Sequence, residues 1–302
     1  MSEAISVLVT NEDTDVRLDR WLRRRYPNVH QGRLEKLFRT GQIRVDGHRV
    51  KGSLRLVSGN SIRIPPILGL SEKTRPPKTK KIALNSEKVS LVRKWVIFKN
   101  NDILAINKPS GLAVQGGTGI REHLDLMLDA LRFDAEERPR LVHRLDRDTS
   151  GVLLLARTIS SARELAKIFR EKELCKTYWA LTAGVPAQKE GRIDIALLKK
   201  KISKIKDEIV ITKDGMNAIT DYKIVERVGN SFAWLSLRPH TGRTHQIRIH
   251  CAASLNCPIV GDKKYNLCDN EIDFTGLGDG LHLHSRSLQL SYTSEGNIKN
   301  TW

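Results

Sequence analysis

No run of about 18 apolar residues occurs in the 302-residue chain, so no segment reads as a membrane-spanning helix. The start, Met1 to Thr10, has neither a basic leader nor a long apolar stretch, and a secretory signal is not expected. Aromatic residues make up only 5% of the chain. Cysteines number four: Cys175 stands apart, and Cys251, Cys257 and Cys268 are loosely spaced. No Cys-x-x-Cys pair is present, which removes the usual zinc frameworks and any disulfide scaffold. Free thiols in a reducing cytoplasm are the expectation. The glycine-rich stretch from Asn107 to Gly119 lacks the Gly-Lys-Ser/Thr ending of a phosphate loop, and no dinucleotide fingerprint follows it. His240, His245 and His250 are spaced by fives, which puts them on no common helix face, so no metal site is expected. The absences leave a cytoplasmic protein expected to work without cofactor, metal or membrane.

What is abundant is positive charge. The formal net charge is +18, with 52 Lys and Arg against 34 Asp and Glu. A folded chain this basic is usually directed at a polyanion. The excess is uneven: 13 basic against 7 acidic residues up to Pro65, then 8 against 2 from 66 to 94. A hydrophobic fraction of 39% supports a buried core, and the length allows two domains.

Residues 14–75 read as a small domain. Leu18, Trp21 and Leu22 keep helical spacing, as do Leu34, Leu37 and Phe38, and Gly41 follows where a left-handed cap belongs. Ile43, Val45, Asp46-Gly47 and Val50 read as strand, turn, strand. Arg17, Arg20, Arg24, Arg33, Lys36 and Arg39 line the helices and are candidate phosphate contacts; a solvated charged face is the plainer alternative. Residues 76–94, with Pro76-Pro77 and Lys78-Thr-Lys-Lys81, read as a basic linker. Residues 95–302 form the larger domain, with no internal repeat. Ser161-Ala-Arg-Glu164 resembles a capping box opening a helix, and Ile247 and Ile249 alternate as in a strand.

The larger domain is organised around His143-Arg144-Leu145-Asp146-Arg147-Asp148-Thr149-Ser150-Gly151, a charged block between Leu141-Val142 and Val152-Leu-Leu-Leu-Ala156. Apolar flanks draw the block inward, where an unpaired carboxylate is expensive. It is therefore a natural place for chemistry, although a tight turn between two core strands would use the same residue types.

The nine-residue run resembles the signature of the RluA-type pseudouridine synthases. Asn107-Lys-Pro-Ser-Gly111, Lys176-Thr-Tyr178 and Thr241-Gly-Arg-Thr-His-Gln-Ile-Arg-Ile-His250 match the same family in order, over about Trp95 to Leu290. Arg17-Leu-Asp-Arg-Trp-Leu22 through Gly47 resembles an S4 RNA-binding domain, which precedes many such enzymes. The resemblance implies an α+β fold: a small S4-like domain, then a catalytic domain with a mainly antiparallel mixed β-sheet split by an active-site cleft. It implies cofactor-free isomerisation of uridine to pseudouridine in RNA. It places the catalytic carboxylate at Asp146, acting as nucleophile or as base, the base platform at Tyr178, and the guanidinium paired with Asp146 at Arg243. Arg248 is the second candidate for that pairing and otherwise a phosphate contact; Arg144 and Arg147 are expected to engage the RNA backbone. Asp148 and His143 read as structural. The run Ala113 to Gly119 supports the branch acting on several uridines of large-subunit (23S) rRNA, with tRNA as the alternative substrate and a monomer as the favoured state. A non-catalytic RNA-binding protein and a metal-dependent RNA hydrolase are the competing classes.

Overall fold

The computed structural model describes residues 4–66, 84–117, 119–171, 173–201, 207–265, 276–292 and 298–301. Pro76-Pro77, the Lys78–Lys81 run and Cys268 lie outside them. The chain divides into two compact units, Met1–Lys81 and Ile82–Trp302.

In the first unit, α1 (Leu18–Arg25) and α2 (Gln31–Arg39) pack against a four-stranded sheet. Its strands are β1 (Ile5–Leu8), β2 (Arg44–Val45), β3 (His48–Arg49) and β4 (Ser61–Ile64), in the order β1-β4-β2-β3. Leu18, Trp21, Leu22, Leu34, Leu37, Ile43 and Ile62 build its core. Gly41 takes the left-handed cap conformation, and Asp46 and Gly47 both adopt positive φ in the β2–β3 turn. Strand β1 lies ahead of residue 14, where the sequence reading begins the domain; of its three apolar side chains only Val7 is even half-buried, so it leaves little pattern.

The second unit starts earlier than the sequence suggests. Residues 86–94, read as linker, form α3 (Ser86–Lys94), capped by Asn85 and anchored by buried Val92. There follow β5 (Val96–Lys99), β6 (Ile103–Lys108), α4 (Leu124–Met127), β7 (Arg140–Leu141), β8 (Ser150–Ala156) and α5 (Ile159–Glu171). Next come β9 (Leu174–Ala183), β10 (Glu190–Lys201), β11 (Asp207–Ile211), β12 (Met216–Val228), β13 (Phe232–Pro239), α6 (Gln246–Ile249), β14 (Leu283–Tyr292) and β15 (Ile298–Thr301). The strands make one large sheet in the order β11-β10-β12-β13-β9-β14-β8-β6-β5, with β15 on β14 and β7 on β8. Every pairing is antiparallel except β14 with β8, so the sheet is mixed and mostly antiparallel.

Strand β8 is buried on both sides, which explains its unbroken Val-Leu-Leu-Leu-Ala run. Leu153 and Leu155 face Val92, Leu124, Met127 and Leu131; Val152, Leu154 and Ala156 face Leu165 and Ile168 of α5. Strand β13 alternates instead: Ala233, Leu235 and Leu237 are buried, and the residues between them are not. Its inner face packs on Ile247 and Cys251, which are helical: α6 runs into a π-helical turn, His250–Ser254. The strand reading of Ile247 and Ile249 is thus corrected. Both are buried and one turn of helix carries them. The cap of α5 also lies three residues earlier than expected, where Thr158 and Ser161 exchange backbone–hydroxyl hydrogen bonds at 3.0 and 3.1 Å.

Candidate active site

The charged block at 143–149 is the loop that enters β8, and it is held from several sides. Gly151, at φ +106°, lets β8 close onto β14: a Cβ there would stand 2.3 Å from the Ser285 carbonyl. His143 fixes the loop's start. Its Nε2 accepts from the Leu154 N–H at 2.8 Å and its ring stacks on Phe169. Burial pushes its pKa down to about 3, so it is a neutral structural acceptor. Lys108, wholly buried at the end of β6, donates to the carbonyls of Pro109, Leu112 and Arg147 at 2.8–2.9 Å. Ser110 donates to the Asp148 carbonyl at 2.6 Å. The Asp148 carboxylate is spent on Arg147.

Asp146 differs from its neighbours. Its backbone carbonyl accepts the Thr149 N–H at 3.2 Å, closing a turn. Its carboxylate has no hydrogen-bonded or ion-paired side chain among the described residues. It is half-buried on a wall shared by two cavities of about 390 and 950 Å³. Tyr178, Arg243 and Thr241 line the smaller one with it; Gln115, Lys263 and Lys264 line the larger. The β9–β14–β8 order sets Tyr178 opposite Ser285, and Ser285 opposite Gly151, so loop and tyrosine meet across one intervening strand.

Arg248 is the buried cation that shares the smaller cavity with Asp146. That side chain is 8% exposed and forks onto Asp262, Nε to Oδ2 at 2.7 Å and Nη2 to Oδ1 at 2.6 Å. Asp262 also accepts the N–H groups of Lys264 and Tyr265. Burial works against the Arg248 cation, while the hydrogen bonds and charge of Asp262, and then the charge of Asp146, favour it. Tyr178 is pushed up to about 12, by burial first and by Asp146 second, against a hydrogen bond with Ser285. Its phenol therefore keeps its proton at neutral pH. His245, in the left-handed conformation at φ 55°, hydrogen-bonds Tyr265 through Nδ1 at 2.8 Å, and burial lowers its pKa. A carboxylate free to act, a protonated phenol and a buried cation around a cavity suit chemistry at a sugar–base bond.

The chain is similar to proteins of known family. The RNA pseudouridylate synthase family profile matches residues 102–253. The "Ribosomal large subunit pseudouridine synthase C" of Rickettsia felis is 37% identical over 263 residues, 86% of this chain and 84% of that one. The "RNA pseudouridine synthase 4, mitochondrial" of Arabidopsis thaliana is 37% identical over 301 residues; the match covers 88% of this chain but 63% of that protein. The solved structure "Human RNA Pseudouridylate Synthase Domain Containing 4" superposes with a TM-score of 0.58 at 30% identity, covering 67% of this chain and 86% of that one. The chain belongs to the RNA pseudouridylate synthase family. It is a pseudouridine synthase of the RluA type, an isomerase acting on RNA.

Within this synthase, Asp146, Tyr178 and Arg243 do line one cavity, together with Arg144 and Arg248. The expected pairing of Arg243 with Asp146 is not made. The Arg243 Nε donates to the Asn217 carbonyl at 3.1 Å, and its N–H donates to Gln246. Arg248, assigned from the sequence to RNA phosphate, is instead committed to Asp262, since a buried guanidinium needs an internal anion. Arg144 is exposed at the cavity edge, and Arg147 is exposed with its guanidinium on Asp148. In the first unit Arg20, Arg24, Arg33, Lys36 and Arg39 are exposed, while Arg17 is paired with Asp19 at 2.5 Å.

Three supporting residues escape a reading of the motifs. Lys108 and Asp262 are single charged residues whose burial no spacing announces. Gln246 clasps the Arg243 loop to β12. It accepts from Thr241 Oγ1 at 2.8 Å and donates to the Ile219 carbonyl at 3.0 Å and Thr220 Oγ1 at 2.9 Å.

Proposed function

We propose that this synthase isomerises several uridines of large-subunit (23S) rRNA, with Asp146 as the carboxylate that acts on the ribose. The reaction breaks the bond from uracil N1 to C1′ and forms one from C5 to C1′; the C5 proton leaves and N1 gains one, so no atom is added and no cofactor is needed. The observation that carries the assignment is the uncommitted Asp146 carboxylate on a cavity wall beside otherwise satisfied charges. It would attack C1′ or remove the C2′ proton. Arg248, fixed by Asp262, is a buried cation lining the same cavity as this carboxylate. Tyr178 is the platform for the uracil ring, and Arg243, lining the same cavity, contacts the nucleotide. Arg144 and Arg147 engage the phosphodiester on either side of a nucleotide turned out of its stack, an operation that costs a few kcal/mol.

The Met1–Lys81 unit, two basic helices on a small sheet, serves as an S4-like RNA-binding domain, gripping phosphate through Arg17, Arg20, Arg24, Arg33, Lys36 and Arg39. The Rickettsia relatives, named for the ribosomal large subunit, support the rRNA target; a monomeric, cytoplasmic enzyme belongs to the same proposal.

Mapping pseudouridine position by position in 23S rRNA from cells with and without the gene tests the target. Loss of several sites is expected, restored by wild type and not by Asp146→Asn. Persistence of every rRNA site with loss of tRNA sites would move the target to tRNA; equal restoration by Asp146→Asn would end the catalytic assignment.

A further inference from the structure

The sheet face opposite the Tyr178 ring carries a second cluster. Side chains alternate along β9, so Trp179 projects away from the face that bears Tyr178. The register puts His284 beside Trp179 on one side and Ser236 on the other, with Trp234 opposite Leu181. The two indoles meet edge to face with centroids 4.8 Å apart. The Arg286 guanidinium lies 4.7 Å over the Trp179 ring. Helix α5 packs on the β8 part of this face, through Val152, Leu154 and Ala156. Over the indoles the face opens into a cavity of about 440 Å³.

Two of the chain's five tryptophans thus sit together, half-exposed, on an open sheet face. Arg286 is exposed and has no carboxylate partner among the described residues. His284 is held by Ser150 through Nδ1 at 2.9 Å. The acid facing this patch in the register is Glu226, at the outer edge beside Trp234. Aromatic faces with an unpaired guanidinium are the chemistry that holds unstacked bases and their phosphates. An RNA duplex hides its bases, so the fitting occupant is single-stranded.

The cavity adjoins the catalytic one. Ser110, Gly280 and Leu281 line both it and the 950 Å³ cavity whose wall includes Asp146 and Arg144. A strand with one nucleotide at Asp146 can therefore continue around the 280–281 loop onto the indoles.

We propose that Trp179 and Trp234, with Arg286, form a stacking platform for unpaired RNA nucleotides flanking the target uridine. This rests on the reading that the chain turns out a uridine at Asp146, and it adds a second RNA contact on the far face of the sheet.

The test uses the full chain and two labelled probes, a uridine 12-mer and a uridine trimer, with binding read by anisotropy. Trp179→Ala and Trp234→Ala are each expected to weaken the 12-mer by about 5- to 100-fold. The trimer, too short to span both cavities, should be bound as by wild type, and Trp179→Phe should keep most of the affinity. Ultraviolet crosslinking of the 12-mer to wild type, which needs no variant to fold, should map to residue 179 or 234. Unchanged 12-mer affinity in both alanine variants, equal weakening of both probes, or crosslinks confined to the Asp146 cavity would overturn the platform. Pseudouridine formation by wild type is scored separately. Its presence beside unchanged 12-mer binding removes the platform alone, and its absence counts against the reaction.

Discussion

The ammonium of Lys108 donates to the carbonyl of Arg147 at 2.9 Å, bridging two motifs 39 residues apart. The same group holds Pro109 and Leu112, so one buried cation ties the glycine-rich loop to the loop of Asp146. Burial lowers its pKa to about 8, against the opposing charges of Asp148 and Asp146. Lys108→Met leaves three carbonyls without their donor and frees the Asp146 loop. We expect kcat to fall about 10²-fold with RNA affinity within about threefold, as misplacement of a reacting group does. The pH dependence has a definite sign. Between roughly pH 8 and 10.5 the unfolded chain holds a proton at this lysine that the folded chain gives up, so this group's contribution to stability rises with pH there. Melting temperatures of wild type minus Lys108→Met should show that rise and be flat below pH 7.

Arg248 and Arg243 separate by burial. Arg248→Met strands the Asp262 carboxylate, whose side chain is 1% exposed, and should cost about 3–5 kcal/mol in denaturant unfolding. Arg243→Met gives up one hydrogen bond to the Asn217 carbonyl from a half-exposed side chain and should cost under about 1 kcal/mol. Equal losses for the two would show that the Arg248–Asp262 fork is not a structural keystone.

Gly151→Ala tests the closure of β8 on β14. The new methyl would meet the Ser285 backbone at positive φ, where neither side can give. A loss of about 3 kcal/mol or more is expected, with activity falling alongside. Gly47→Ala, also at positive φ but with nothing within 4 Å, should cost distinctly less.

Tyr178→Phe keeps the ring and removes the proton. The phenol is held protonated up to about pH 12, so at neutral pH it can serve as a general acid beside its platform role; its loss should leave RNA affinity within about threefold while kcat drops about 10²-fold. The alkaline limb of the wild-type rate profile should not report this tyrosine; a limb that vanishes in the phenylalanine variant between pH 8 and 10 would contradict that.

The motifs made Asp146, Tyr178 and Arg243 legible because each lies in a run whose residue types and order are unusual. Their meeting in one cavity required the sheet order, which periodicity does not contain. The sequence does not show that Arg243 turns to the Asn217 carbonyl and Arg248 to Asp262, because the two arginines lie five residues apart in one motif and only burial separates them. Helix α6 reads as a strand in the sequence because it is one turn long and apolar at alternate positions, a pattern that both structures satisfy. Helix α3 was hidden in a basic stretch where Val92 is the one fully buried anchor. The long strands β10 and β12 show only in their apolar middles, since charged residues crowd their ends: Glu190, Arg192 and Lys199 to Lys201 in β10, Glu226 and Arg227 in β12.

Residue 150 is brought beside residue 284, and residue 151 beside 285, by the one parallel pairing in the sheet. Nothing in the first half of the catalytic unit can complete the pocket alone, because the strand between loop and tyrosine comes last among the three. Such distant pairing is slow to form. During synthesis, the chain therefore carries its basic amino-terminal unit long before it owns a working centre, and reactivity arrives only once the final core strand has slotted in.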